Sequence, residues 1–321
     1  MTHPLPSGDI SAPPAISIRR LRKIYKSRDG KSDKEALKGI DLDIPRGSMF
    51  ALLGPNGAGK STCINILAGL VNKTAGTASV WGFDIDKNPR NAKASIGVVP
   101  QELIFDAFFT PREVLEIQAG MFGIPKSARM TDEILERVAL ADKADAYART
   151  LSGGMKRRLL IGKAMVHNPP VLILDEPTAG VDIELRRQLW ANVRDLHTRG
   201  TTIVLTTHYL EEAQELCDHI AIINHGEVVA YDRKDRLMSA VAEKEVTVTV
   251  DKPMEMLLPS LSGMGAEQLN PQQIKLRYDK NALPMSAILA ALSDAGFGIS
   301  DISTDEADLE DIFLEITQKS A

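Results

Sequence analysis

The sequence feature that most restricts the fold is a short glycine-rich segment at residues 54–62, which reads GPNGAGKST. It follows the apolar run Met49–Leu53, which predicts a buried strand, and it precedes a helical pattern that continues through Leu67. This is the GxxxxGK[ST] spacing in the strand–loop–helix setting that it requires. The glycines let backbone N–H groups converge on a polyphosphate, and the following helix directs its positive end at the same group.

Each residue of this phosphate loop is a candidate nucleotide ligand: Gly54, Pro55, Asn56, Gly57, Ala58, Gly59, Lys60, Ser61 and Thr62. Lys60 is predicted to reach the β- and γ-phosphates of the nucleotide. The hydroxyl group of Ser61 is predicted to bind Mg²⁺. An accidental glycine-rich turn would not supply the strand, the lysine and the serine together.

A pair of candidate site residues follows the apolar run Val171–Leu174, which predicts another buried strand. Asp175 ends this strand and is expected to lie beside the phosphate loop, where it can hold Mg²⁺. Glu176 comes next and can orient and deprotonate a water molecule in line with the γ-phosphate. Two carboxylates could also merely solvate a loop, but their pairing with a phosphate loop favours catalysis.

A third motif, LSGGMKR at residues 151–157, narrows the class further. Ser152, Gly153 and Gly154 open a predicted helix and so form a second site suited to anions. One nucleotide does not need two such sites in the same molecule, so this one is predicted to cap a nucleotide held by a neighbouring copy. The basic run 156–158 that follows is predicted to be solvated and to face the dimer.

The order of the predicted elements indicates a mainly parallel α/β fold, because short apolar strands alternate with helical patterns from about residue 16 to 230. Helices replace strands over about 102–166, and Thr110, Pro111 and Glu113 predict a capping box at the first of them. We therefore expect a loose tail at 1–14, a nucleotide-binding domain at 15–243 and a small α+β domain at 244–321.

Composition excludes several other classes. The two cysteines rule out a disulfide scaffold or a four-cysteine zinc site, and the net charge of −5 with 5% aromatic residues argues against a nucleic-acid partner. No apolar run approaches the ~20 residues of a membrane span. The chain is therefore expected to be cytoplasmic, with any membrane role supplied by a partner.

Over residues 16–235, the three motifs together resemble the ATP-binding subunit of ABC transporters, although Met155 replaces the final glutamine of that family's LSGGQ motif. The resemblance implies a P-loop NTPase of ABC type with a mainly parallel core sheet, an antiparallel β subdomain and a helical subdomain. It also implies ATP and Mg²⁺ as the cofactors.

The resemblance assigns roles to further positions. It implies that Tyr25 stacks on adenine, that Gln101 senses Mg²⁺ and the attacking water, and that His208 hydrogen-bonds the γ-phosphate. Glu176, His208 and Gln101 are then the catalytic residues, and Ser61, Gln101 and Asp175 are the metal ligands. The loop 179–182 is implied to meet the partner subunit across the dimer.

The same resemblance implies a mechanism in which two copies enclose two ATP molecules and drive a membrane permease on a separate chain, at the inner face of the cell membrane. The segment DLEDIFLEI at 308–316 is similar to the tails of ATPases that serve ABC-2-type exporters. An ABC importer remains the alternative. Non-transport ABC ATPases are disfavoured because each motif occurs once and no long heptad insertion or cysteine zinc module is present.

Overall fold

A computed structural model describes residues 13–27, 32–102, 106, 108–179, 181–240, 243–279, 283–306, 309 and 313. The strands are β1 Ile16–Tyr25, β2 Lys34–Ile44, β3 Met49–Leu53, β4 Ala75–Val80, β5 Phe83–Asp84, β6 Ile96–Val99, β7 Val171–Asp175, β8 Thr202–Thr207, β9 His219–Asn224, β10 Glu227–Arg233, β11 Glu243–Val250, β12 Ala266–Asn270, β13 Gln273–Asp279 and β14 Ile299–Glu306. The helices are α1 Lys60–Leu67, α2 Pro89–Ala94, α3 Pro111–Met121, α4 Thr131–Arg137, α5 Gly153–Met165, α6 Ile183–Thr198, α7 Leu210–Leu216, α8 Lys234–Ala240, α9 Pro259–Ser262 and α10 Met285–Asp294.

The central sheet has six strands in the order β10-β9-β3-β8-β7-β6. The pairs β3–β9, β3–β8, β8–β7 and β7–β6 are parallel, and only the edge strand β10 pairs antiparallel. Strand β3 is buried along its whole length, as is expected of a strand covered on both faces. Parallel strands end at one edge of a sheet, so the carboxyl ends of β3, β6, β7 and β8 bring their following loops together.

A second sheet, in the order β2-β1-β4-β5, is entirely antiparallel. Its inward side chains share one hydrophobic core with the central sheet and α1, in which Ile16, Leu37, Phe50 and Ile64 are buried. The expectation of a mainly parallel core sheet with an antiparallel β subdomain is therefore confirmed.

Between β6 and β7 the chain forms helices, as the sequence predicts. Helix α3 begins with the predicted capping box, in which the Glu113 N–H donates to Thr110 Oγ1 over 3.2 Å and the Thr110 N–H donates to Glu113 Oε2 over 2.8 Å. Helices α4 and α5 follow, and α5 starts one residue after Ser152. The LSGGM motif at the start of α5 lies in the same compact unit as the phosphate loop.

The chain forms two compact units, Met1–Arg233 and Lys234–Ala321. Helix α8 belongs to the second unit, whereas the boundary predicted from the sequence lies after it, at 243/244. The second unit contains an antiparallel sheet in the order β12-β13-β11-β14, and its core includes Val246, Ile274 and Ile288. The α+β character predicted for this region agrees with these elements.

Two expectations fall largely on residues that the structure does not describe. Of the tail at 1–14, only residues 13 and 14 are described, and of the exporter-like segment at 308–316, only Leu309 and Phe313. Both therefore stay predictions. Within the described part of the chain, no helix has the length and apolar character that crossing a membrane requires.

Candidate nucleotide site

The phosphate loop runs from the end of β3 to the start of α1, as predicted. Gly54 is essential to this path, because a Cβ atom there would lie 2.2 Å from the carbonyl oxygen of Ile223 in β9. Gly59 has a φ of 116°, in the region that favours glycine, and directly precedes α1. These two positions explain why the loop can stay close to the sheet while its backbone turns into the helix.

Lys60 is almost fully buried beneath this loop, with 4% of its surface exposed. Its ammonium group donates to the carbonyl oxygens of Gly54 over 2.6 Å and Pro55 over 3.3 Å. Burial lowers the pKa of Lys60 from its usual value, while the nearby carboxylates of Glu176 and Asp175 act in the opposite direction. The lysine is thus held in place as a donor for an anion at the loop.

A cavity of about 350 Å³ lies over the loop. It is lined by Tyr25, Lys34, Ala36, Pro55, Asn56, Gly57, Ala58, Gly59, Lys60, Ser61, Thr62, Gln101 and Glu176. The volume is within the range of small-molecule sites. The predicted adenine-stacking residue therefore shares one cavity with eight of the nine loop residues and with two of the predicted catalytic residues.

Tyr25 offers an aromatic surface in the wall of the cavity. Its side chain is 39% exposed, and the ammonium group of Lys23 lies 4.7 Å from the centre of the ring. Strand β1 ends at this residue, so the ring is fixed to the antiparallel sheet. An exposed ring at a cavity wall can stack on a nucleobase.

Glu176 follows β7 with a left-handed backbone, its φ being 44°. Its backbone N–H donates to the carbonyl oxygen and to the Oγ1 atom of Thr206 in β8, each over 3.1 Å. An unfavourable backbone held by a neighbouring strand is typical of functional sites, where the surroundings fix the strained residue. Thr206 is a supporting residue of the site that no sequence motif indicates.

The Glu176 carboxylate is the meeting point of the predicted catalytic residues. Oε2 lies 3.2 Å from Nε2 of Gln101 and 3.4 Å from Nδ1 of His208, and Oε1 lies 3.7 Å from Nζ of Lys60. With 12% of the side chain exposed, these contacts form in a partly desolvated setting. The structure thus brings Gln101, Glu176 and His208 together at the carboxyl ends of three strands.

Asp175 ends β7 and accepts a hydrogen bond from Thr206 Oγ1 over 2.5 Å. A carboxylate, the Ser61 hydroxyl group and the Gln101 amide oxygen are the hard oxygen ligands that Mg²⁺ prefers. Among the described residues, no three His, Cys, Asp or Glu side chains gather into a metal site of their own. This donor set suits a metal whose remaining ligands are phosphate oxygens and water.

Ser152, Gly153 and Gly154 do not line the cavity. Ser152 is the N-cap residue of α5, where its Oγ accepts the Met155 N–H over 3.3 Å, and both Ser152 and Gly153 are exposed. An ideal Cβ on Gly153 would meet no atom within 4 Å. The structure therefore presents this helix start to an outside group, away from the chain's own phosphate loop.

The expectation of a solvated face for the basic run 156–158 is wrong at Arg157, which is 4% exposed. Its guanidinium group donates to the backbone carbonyl oxygens of Pro100 over 2.9 Å and Gln101 over 2.8 Å. Helix α5 therefore holds the backbone of Gln101. The two carbonyl acceptors come from a distant segment, so no residue near Arg157 in the chain indicates this burial.

Comparison with known proteins identifies the family. The model of the ABC transporter family matches residues 37–179. The linearmycin resistance ATP-binding protein LnrL of Bacillus subtilis is 35% identical over 313 residues, which cover 95% of this chain and 99% of the relative. The chain belongs to the ABC transporter family. This ABC protein is an ATPase.

Further relatives and solved structures that resemble this chain are also ATP-binding proteins of the ABC family. Nod factor export ATP-binding protein I of Ralstonia nicotianae is 34% identical, with 97% of this chain and 96% of the relative covered. Among solved structures, the dimeric structure of MJ0796, a bacterial ABC transporter cassette, covers 68% of this chain and 98% of that cassette, with a TM-score of 0.60 and 26% identity. The fraction of the chain that resembles the cassette is thus about equal to the fraction that contains the motifs, residues 16–235.

Proposed function

We propose that this ABC protein is the ATP-hydrolysing subunit of an exporter of the ABC-2 type, and that two copies enclose ATP while a membrane permease on a separate chain carries the cargo. The observation that carries the proposal is the Glu176 carboxylate, which lies within 3.7 Å of Lys60, Gln101 and His208 at the phosphate cavity. This arrangement gathers a base and three nitrogen donors where a γ-phosphate would react.

In the proposed reaction, Lys60 neutralises charge on the phosphates and the loop N–H groups bind their oxygens. Glu176 accepts a proton from a water molecule whose oxygen attacks the γ-phosphorus, while the bond from that phosphorus to the β–γ bridging oxygen breaks and ADP leaves with that oxygen. Gln101 orients that water, and His208 donates a hydrogen bond to the phosphate oxygens. Lys60, Gln101 and His208 already lie beside the Glu176 carboxylate.

Ser61, Asp175 and Gln101 would hold Mg²⁺ through oxygen atoms. When bound, the ion would neutralise charge on the phosphate oxygens. The Thr206 hydroxyl supports this role, because its hydrogen bond orients the Asp175 carboxylate.

The exposed start of α5 supports the dimer. Ser152 and Gly153 are exposed and do not line the chain's own cavity, and a helix N-terminus stabilises negative charge. A second copy could place this helix start over the γ-phosphate. The dimeric structure of the related cassette supports such a pair.

The names of the relatives support export. They include Nod factor export and linearmycin resistance ATP-binding proteins, and a daunorubicin resistance ATP-binding protein of Streptomyces coeruleorubidus that is 35% identical over 94% of this chain and 95% of the relative. We therefore place the chain at the inner face of the cell membrane, held there by its permease.

The decisive experiment is purification of the tagged chain from its native membranes in a mild detergent. We expect an integral membrane protein to co-purify, and we expect the complex in inside-out vesicles to take up daunorubicin in the presence of ATP. Vesicles with Glu176→Gln serve as the control and should take up none. A co-purified permease that requires an external binding protein for transport would contradict export and favour import.

A further inference from the structure

One carboxylate near the site has no role in the proposed reaction. Glu212, in the first turn of α7, is completely buried, with 0% of its surface exposed. An unpaired buried carboxylate is costly, so such a group is normally surrounded by donors. The contacts of Glu212 show which parts of the molecule it joins.

Two threonine hydroxyl groups donate to this carboxylate. Thr178 Oγ1 donates to Oε1, and Thr207 Oγ1 donates to Oε2 over 2.9 Å. Thr178 lies two residues after Glu176, and Thr207 lies immediately before His208. A single side chain therefore joins the loop that carries the catalytic glutamate to the strand end that carries the histidine.

The third partner comes from the helix that follows the loop at 179–182. Nε of Arg186 in α6 lies 3.8 Å from Oε1 of Glu212, and the backbone N–H of Arg186 donates to the Asp182 carbonyl oxygen over 2.9 Å. Burial raises the pKa of Glu212, while the hydrogen bonds from Thr178 and Thr207 act in the opposite direction.

The orientation of His208 depends on the same group of side chains. Thr207 Oγ1 accepts the backbone N–H of Tyr209 over 2.9 Å, which fixes the turn that contains His208. The Tyr209 ring lies 4.0 Å from the imidazole ring of His208 and 5.5 Å from the guanidinium carbon of Arg186. A change at Glu212 would therefore reach His208 through Thr207 and Tyr209.

We propose that Glu212 is a positioning residue for ATP hydrolysis, which sets the separation of Glu176 and His208 and joins both to the start of α6. The inference rests on the roles proposed above for Glu176 and His208. This role explains why a buried carboxylate lies where the loops after β7 and β8 meet α6. The two carboxylate oxygens can accept hydrogen bonds from several segments at once.

The test compares Glu212→Ala with Glu212→Gln in the assembled complex, measuring kcat and KM for ATP and the affinity for a fluorescent ATP analogue. We expect Glu212→Ala to lower kcat about tenfold or more, because small displacements of catalytic groups are costly. KM and the analogue affinity should stay within about twofold, since no partner of Glu212 lines the cavity. Glu212→Gln should recover most of kcat, because its amide can accept from one threonine and donate to the other.

Asp218, which is exposed where Glu212 is buried, provides a control position. Its carboxylate also joins two segments, accepting the Met49 N–H over 2.9 Å and contacting His219 Nδ1 at 3.4 Å, but it lies at the amino ends of β3 and β9, away from the site. Asp218→Ala should lower the melting temperature without changing kcat. Should Glu212→Ala fail to fold, Thr178→Val and Thr207→Val each remove one hydroxyl donor and should lower kcat at unchanged KM.

Three outcomes would overturn the inference: kcat within about twofold of wild type in Glu212→Ala, a loss of kcat in Asp218→Ala equal to that in Glu212→Ala, or no recovery in Glu212→Gln. In these cases wild type would still hydrolyse ATP and Glu176→Gln would not, so the proposed function would stand. A wild-type complex without ATPase activity would overturn both.

Discussion

The side-chain amide of Gln101 donates to Oε2 of Glu176 over 3.2 Å, although Gln101 follows β6 and Glu176 follows β7. Strands β6 and β7 are parallel neighbours, so the loops that follow them leave the sheet at one edge. Nδ1 of His208, after β8, approaches the same carboxylate oxygen at 3.4 Å. One oxygen atom therefore joins three adjacent strand ends.

Glu176→Gln should abolish turnover while ATP binding is retained. The amide keeps the size of the side chain but cannot accept a proton from water, and loss of a general base typically costs about 10²- to 10⁴-fold in rate. The measurements are phosphate release and the affinity for a fluorescent ATP analogue. Glu211→Gln, an exposed neighbour of the buried Glu212, is the control and should hydrolyse normally. Substantial ATPase activity in Glu176→Gln would refute the role of the carboxylate.

The same variant tests the dimer. If hydrolysis separates two copies that share ATP, the Glu176→Gln variant should stay paired in the presence of ATP. The isolated variant should then elute as a dimer in size-exclusion chromatography, and the two ATPase subunits of the complex should stay in contact. Ser152→Arg should prevent this dimer, because it places a bulky cation at the exposed helix start. A Glu176→Gln complex that never pairs its ATPase subunits, even with ATP, would contradict the shared site.

Lys60→Ala should weaken nucleotide binding itself. The buried ammonium group is held by the Gly54 and Pro55 carbonyl oxygens and faces the cavity that would contain the phosphates. Loss of a hydrogen bond to a charged group costs about 1.5–3 kcal/mol, so Kd for ATP should rise about 10- to 100-fold. Isothermal titration with Lys87→Ala as the exposed control checks this. An unchanged Kd would count against the phosphate-loop assignment.

Motifs with local chemistry could be predicted from the sequence, whereas contacts between distant segments could not. The strand at Met49–Leu53, the loop at 54–62 and the Thr110 capping box depend on neighbouring residues, and the structure has them as predicted. Strand β4, AGTASV, was not predicted, because it has no apolar run and gains its partners from β1.

The supporting residues of the site were missed for the same reason. Thr206 and Glu212 act through hydrogen bonds to residues about 30 positions away, and nothing in their immediate sequence indicates such partners. The closeness of His208 to Glu176 was expected from the family resemblance alone. Position in the chain could show which residues follow parallel strands, but not which hydroxyl or carboxylate groups hold those residues in place.

Cys63 should be inert to thiol reagents in the folded protein. Burial raises the pKa of Cys63 from 9.0 to about 12, so at pH 8 about one thiol in 10⁴ is ionised. The pKa of the Cys63 thiol is higher in the folded chain than in the unfolded chain. The protonated thiol therefore contributes its full stabilisation of the folded chain below pH 9, and this contribution is lost as the pH rises toward 12. Cys217 is also buried. We expect no reaction with Ellman's reagent at pH 8 and two reactive thiols in guanidinium chloride; prompt reaction of the native protein would contradict this burial.

Thr110→Ala should destabilise helix α3. The substitution removes the hydroxyl acceptor of the Glu113 N–H, and loss of such a cap costs about 0.5–2 kcal/mol. Hydrogen exchange should increase at the amides of the first turn of α3, while β3 and α1 stay protected. Thr110→Ser keeps the acceptor and should behave like wild type. Equal exchange in both variants would show that the cap contributes nothing.

Arg157→Met should impair hydrolysis by releasing the backbone of Gln101. The substitution keeps the aliphatic length but leaves the Pro100 and Gln101 carbonyl oxygens without their buried donor, which should lower the free energy of unfolding by about 1–3 kcal/mol. With Gln101 less well held, kcat should fall while KM for ATP stays near the wild-type value.

Arg158→Met supplies the control for this effect, because Arg158 also donates to two backbone carbonyl oxygens, those of Val138 and Ala139, and lies next to Arg157 on α5. Both variants should melt earlier than wild type, yet only Arg157→Met should lose turnover, since only Arg157 contacts the segment that carries the catalytic amide. Equal losses of kcat in the two variants would show that α5 supports the site through general stability alone, and would contradict a direct effect of α5 on Gln101.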